Sequence, residues 1–243
     1  MSGTTLQILA VLFLATFIRS ALGFGEALVA VPLLALILPV QVAAPLAVLV
    51  SITVALVVVL EDWRQVHVPS AGWLVFSTLF GIPLGLLLLK TLPESIVKVI
   101  LGAFIIAFAL YSLAGRKPHL DNDRLAPLFG FTAGILGGAY GMNGPPLVIY
   151  GLLRRWQPTQ FRATLQGYFL IASMAGMAGY AFTGLWTRTV STYFVLSLPL
   201  ALLAIFLGRA LHRRLSGARF VLCVNLGLIL IGVVLLKQGL YRA

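Results

Sequence analysis

Of the six acids in this chain, Glu26 alone lies deep inside a long apolar run; the other five stand in or beside polar breaks. It closes the stretch Gly23-Phe24-Gly25-Glu26, where two glycines interrupt the run, and Pro32 follows. A second interruption, Gly141-Met142-Asn143-Gly144, leads into Pro145 and Pro146. A broken helix exposes an N-terminal end whose unpaired N–H groups and partial positive charge suit an anion. Two such ends facing one another would form an anion site without a buried lysine. Gly23, Gly25, Glu26, Gly141, Asn143 and Gly144 are therefore the first candidates. Asn143 can donate to a bound anion, although asparagine equally favours tight turns. Glu26 has two readings. It is a proton carrier, as ionisable groups at membrane depth usually have a function, or it stabilises the start of a helix, where its charge competes with an anionic substrate.

Further polar groups stand where they could complete such a site. Arg162, Gln166 and Ser173 share a helical face, with Thr164 beside them, and Ser51 and Thr53 occupy the comparable region of the first half. Arg162 and Gln166 are the candidates taken from this set. Serine and threonine often only bond to their own helix carbonyls. Arg19 and Arg162 could contact an anion, yet long basic side chains near the ends of apolar runs commonly snorkel to the interface. The glycines also have a plainer role, as small residues that let helices approach closely.

The elements that must hold these residues follow from composition. The chain has 243 residues, 60% of them hydrophobic and only 9% charged, against about a quarter charged in a soluble domain. Such a chain has too few polar residues to cover a core in water, so its solvent is lipid. The expected fold is an all-α polytopic membrane protein, cut into apolar segments of roughly 20 residues. Counting each broken segment as one passage gives about eight membrane segments. They fall into two homologous halves, 1–114 and 125–243, joined by the polar linker 115–124, each half opening with a glycine-broken helix. Gly23 aligns with Gly137, Pro32 with Pro146 and Pro83 roughly with Pro199, so the order of breaks and prolines repeats. Re-entrant broken segments would change the parity and invert the repeats. Lysines and arginines divide too evenly between the two faces for the positive-inside rule to choose.

Several classes are excluded. The net charge of +11 sits mainly in short breaks where Lys and Arg meet headgroups, so nucleic acid is not the partner; the lipid bilayer is. Cys223 is the single cysteine, and His67, His119 and His212 are far apart, so neither a disulfide nor a metal-ligand pattern is expected. Phosphate loops, nucleophile elbows and zinc-protease motifs are missing. The chain is read as no enzyme, with no cofactor. The N-terminal run lacks the basic start and cleavage site of a signal peptide, and reads as the first membrane segment.

The motifs resemble those of the sulfite exporter TauE/SafE family of anion transporters. Ala21-Leu22-Gly23-Phe24-Gly25 leading to Val31-Pro32-Leu33-Leu34 is one, and Gly130-Phe131-Thr132-Ala133-Gly134-Ile135-Leu136-Gly137-Gly138 leading to Gly141-Met142-Asn143-Gly144-Pro145-Pro146-Leu147 is the other. Phe161-Arg162-Ala163-Thr164 also resembles the family. Where many members carry further glycines after the first Gly-x-Gly, this chain has Glu26 and Ala27.

The resemblance implies a multi-pass protein of the bacterial inner membrane that moves small sulfur-containing or organic anions, such as sulfite or sulfonates, by alternating access. An inside-negative potential drives a monoanion outward by about 2.3 kcal/mol per 100 mV. Export could then be a uniport, whereas uptake needs a coupled cation, with protons carried by Glu26 the first choice. A homodimer stays open. Two other classes are weighed against transport. A membrane enzyme with a glycine-rich anion loop needs His or acid residues near the breaks. A non-transporting subunit needs a large polar surface for its partner.

Overall fold

In a bilayer every backbone N–H and C=O must be satisfied internally, so apolar runs bounded by polar turns fold as helices. The computed structural model of the chain describes residues 3–22, 24–62, 68–114, 120–212 and 217–241. Those residues form ten helices: α1 (Gly3–Leu22), α2 (Glu26–Leu34), α3 (Val40–Asp62), α4 (Val68–Thr91), α5 (Glu94–Leu113), α6 (Ala126–Tyr140), α7 (Gly144–Leu153), α8 (Pro158–Phe182), α9 (Arg188–His212) and α10 (Gly217–Tyr241). The all-helical, polytopic reading holds. Six helices, namely α1, α3, α4, α5, α9 and α10, contain stretches long and apolar enough to cross a membrane. Helix α8 is as long as α9 and α10 but more polar, because it turns Thr164, Gln166 and Ser173 inward, all buried. Residues 115–119 of the expected linker lie outside the described residues.

The distribution of polarity is that of a protein in lipid. Trp73, Phe76, Phe80 and Leu87 of α4 are exposed, while Ser77 and Thr78 of the same helix are buried. Close helix packing is made by small residues. Along α4 and α6, Gly130 lies against Leu74 and Ser77, Gly134 against Thr78 and Gly81, and Gly138 against Ile82 and Gly85. The register rises together, so the two helices run parallel with their backbones in contact. Helices α5 and α10 pack antiparallel, with Gly102 beside Gly232 and Gly239 beside Ser95. Helix α1 lies along α9, and α3 along α8.

The second glycine break is the turn of a hairpin. The Leu120 N–H, just before α6, donates to the Leu153 carbonyl at the end of α7 at 3.0 Å. Arg154 Nη1 donates to the Leu120 carbonyl at 2.9 Å, and the Tyr150 hydroxyl donates to Asp123. Arg154 Nε stands 3.2 Å from Asp123 Oδ1 but makes no aligned hydrogen bond, so charge rather than alignment holds that pair. The entrance of α6 and the exit of α7 therefore meet, and this broken segment enters and leaves on one side instead of making the single passage counted from sequence. Asp123 ties both ends. Asp123→Ala is expected to lower stability by about 1–2 kcal/mol, since a charged hydrogen bond and a partly exposed ion pair go together. A thermal unfolding midpoint in detergent that does not move would show the latch to be idle.

Candidate functional site

Gly25 makes the first break. Its φ of 97° lies in the left-handed region, which costs a residue with a Cβ about 1–2 kcal/mol even though a Cβ there would meet nothing within 4 Å. The chain turns there, and α2 starts at Glu26 with its carboxylate directed back to α1. Arg19 Nη1 donates to Glu26 Oε2 at 2.5 Å, and Thr16 Oγ1 donates to Glu26 Oε1 at 3.3 Å. The same guanidinium donates from Nη1 to Ser51 Oγ at 2.6 Å and from Nη2 to Gln166 Oε1 at 2.7 Å. Its carbon lies 5.2 Å from the centre of the Phe169 ring, within cation–π range. Arg19 and Glu26 are only 3% and 2% exposed. Arg19 Nε is buried with no hydrogen-bond partner.

Depth follows from the helices. Ser51 is the middle residue of the 23-residue α3 (Val40–Asp62), so Arg19 reaches the chain's apolar midplane instead of snorkelling. A lone arginine there would be costly; paired with Glu26 and surrounded by acceptors, it is tolerated.

The second break reaches the same place from the α6–α7 hairpin. Gly141 has a φ of 66°, and a Cβ on it would come within 2.7 Å of Val48. The Tyr180 hydroxyl donates to the carbonyls of Gly137 and Gly138, 3.0 Å from each, and so caps the end of α6. Asn143 precedes α7 without capping it and has a right-handed backbone, φ −74°, so it is not there for a left-handed turn. Its carboxamide lies against Gly137, whose missing Cβ leaves the space, and near the Tyr168 hydroxyl. Tyr168 in turn stands 2.6 Å from Thr78 Oγ1, which donates to the Gly130 carbonyl at 2.8 Å. Asn143 is thereby braced by the α4–α6 seam. Pro145 and Pro146 have no N–H, so of the first three residues of α7 only Gly144 has an amide, and no carbonyl of the helix takes it.

Between the breaks lies a cavity of about 30 Å³ whose lining includes Arg19, Gly25, Glu26, Ser51, Gly141, Asn143, Gly144, Phe169 and Ser173. Five of the eight residues singled out in the sequence thus surround one space, and Gln166 reaches it through Arg19. Gly23 and the Arg162 side chain lie outside the described residues. The residue left out of the candidates is Arg19, because snorkelling is the commoner fate of such a side chain. Its signal was present: an opposite charge seven positions from Glu26, with no other charge in that apolar stretch. Thr16, Phe169 and Tyr168 gave no comparable signal. Among the described residues no three His, Cys, Asp or Glu side chains come together as a metal-binding group.

The chain matches the family model described as "Sulfite exporter TauE/SafE" over residues 8–235. It is 26% identical over 153 residues to a protein of Cupriavidus necator named "Probable sulfite/organosulfonate exporter TauE", a match that covers 61% of this chain and 58% of that protein. The chain thus spans under two thirds of that relative's length. No solved structure matches it significantly.

Proposed function

The chain belongs to the sulfite exporter TauE/SafE family, and from that membership we propose that it is a secondary transporter of small sulfur-containing or organic anions, with the substrate held at midplane between the two broken helices. Sulfite and sulfonates are the substrate class, in keeping with the name of its Cupriavidus necator relative. As an all-helical multi-pass protein it belongs in a bacterial inner membrane, because outer-membrane spans are β-barrels. We assign it no catalytic role.

One observation carries the reading: two chain breaks from distant parts of the sequence converge on a buried arginine in a membrane-depth cavity. Irregular backbone at that depth survives only where protein or a polar cavity surrounds it. The moving parts we assign are the halves 1–114 and 125–243. Their elements follow the same order, a first helix, a short helix and three long ones. Contacts repeat in the same sense, with α1 along α9 as α6 is along α4. The antiparallel contact of α5 with α10, equivalent elements on this reading, fits repeats inverted about an axis in the membrane plane. Alternating access is then a rocking of one half on the other.

Asn143→Leu tests the site. It keeps the side-chain volume while removing the carboxamide from the cavity and from Tyr168. Flux of sulfite or sulfoacetate into proteoliposomes is expected to fall to the level of empty liposomes. Flux equal to wild type would take Asn143 out of the site. If no anion shifts the thermal unfolding of the wild type, the transport reading loses its main support.

A further inference from the structure

We propose that the anion binds by taking the place of the Glu26 carboxylate on Arg19, and that one proton enters with it to neutralise the released Glu26. The inference rests on the transporter reading and adds the chemistry of its binding step.

Space and charge lead to it. The cavity beside Arg19 has about 30 Å³, room for a water or two and not for an oxyanion beside the carboxylate already there. Among the described residues Arg19 is the one cation and Glu26 the one anion in its lining. Glu26 and the Ser51 hydroxyl occupy Nη1 and Gln166 occupies Nη2, while the buried Nε–H has no acceptor. With no room beside that carboxylate, an incoming sulfonate reaches Nη1 only if Glu26 leaves it, and the free Nε–H is a further donor on the same guanidinium. Were Glu26 to leave as a carboxylate, two negative charges would share one positive charge in apolar surroundings, which is strongly unfavourable. Protonated, it leaves as a neutral carboxyl that Thr16, 3.3 Å away, can still meet.

Among the described residues no other charge interferes. Helix α2 packs against α1, α3, α5, α7 and α10, and among the described residues Arg19 of α1 is the only charged group that acts on Glu26; α3 and α7 bring the neutral Ser51 and Asn143 to the cavity. The step balances as carboxylate plus proton to carboxylic acid, with the proton taken from the same aqueous phase as the anion. When the anion leaves, the proton leaves too and the Arg19–Glu26 pair re-forms. Each cycle then moves one negative and one positive charge together, so a membrane potential does no work on it.

Ethanesulfonate is a suitable probe, because it stays a monoanion across the useful pH range and brings no titration of its own. Calorimetric titration of the full-length protein in buffers of different ionisation enthalpy should show about one proton absorbed per ethanesulfonate bound. Over the range where Glu26 is ionised, Kd should rise about tenfold per pH unit. Glu26→Gln, which can still accept from Arg19, should bind ethanesulfonate more tightly than wild type at neutral pH and with no pH dependence. Flux in proteoliposomes should not respond to an imposed potassium diffusion potential. Wild-type binding without proton uptake overturns the exchange, whether or not the glutamine variant folds. So does weaker binding by a folded Glu26→Gln protein. A wild type that binds neither ethanesulfonate nor sulfite at any pH overturns the anion-transport reading itself.

Discussion

Arg19→Gln is expected to abolish anion flux and to cost about 3–5 kcal/mol of stability, the usual result of stranding one partner of a buried ion pair. The change leaves Glu26 at 2% exposure with the Thr16 hydroxyl as its remaining hydrogen-bond donor. It also takes the shared donor away from Ser51 and Gln166, so α1, α3 and α8 lose the group that joins them. In a protein of this size the unfolding midpoint should fall by on the order of ten degrees. The double variant Arg19→Gln/Glu26→Gln separates the two effects. With the stranded charge removed, most of the stability should return, because a buried pair often contributes little over a neutral replacement. Flux should not return, because the cation that meets the anion is gone. A double variant that transports at the wild-type rate would falsify the assignment of Arg19 to the site.

The second large effect is expected from Gly134→Leu. A Cβ at 134 would press on the Thr78 carbonyl and on Gly81 Cα at 2.9 Å, and these are backbone atoms that cannot rotate away. Helices α4 and α6 must separate, and overpacking of this kind costs about 1–3 kcal/mol or more. The damage should reach the site. Thr78 bonds both to Gly130 and to Tyr168, and Tyr168 stands near Asn143. Reduced yield of monodisperse protein and a lowered unfolding midpoint are the readouts. Gly176→Leu in α8 provides the contrast, since a Cβ there meets nothing within 4 Å. If the two variants behave alike, the seam does not hold the helices together.

The glycines show how far local reading reaches. Close packing and chain breaking both explain a glycine-rich stretch, and the residues of α6 divide between them. Gly130, Gly134 and Gly138 face α4 and serve packing, whereas Gly137 makes room for Asn143 and Gly141 turns the chain. All five lie within twelve residues, and no rule of composition separates them. The division depends on which face of α6 meets its neighbour. Parity was hidden for the same reason. A glycine break reads alike in a kinked crossing and in a hairpin, and only contacts between its distant ends, such as Leu120 with Leu153 and Asp123 with Tyr150, identify the second break as a hairpin.

Lipid as solvent, helices as the elements of the described residues, and two broken segments were legible in the sequence, because each follows from apolar content or from glycine and proline placement. These are properties of short stretches. The partner of Glu26 and the closure of the cavity were decided by tertiary structure. Arg19 meets Glu26, Ser51 and Gln166 across separations of 7, 32 and 147 residues. Whether an arginine in an apolar run snorkels or turns inward depends on acceptors that other helices bring to it, and those helices find one another only as the chain packs.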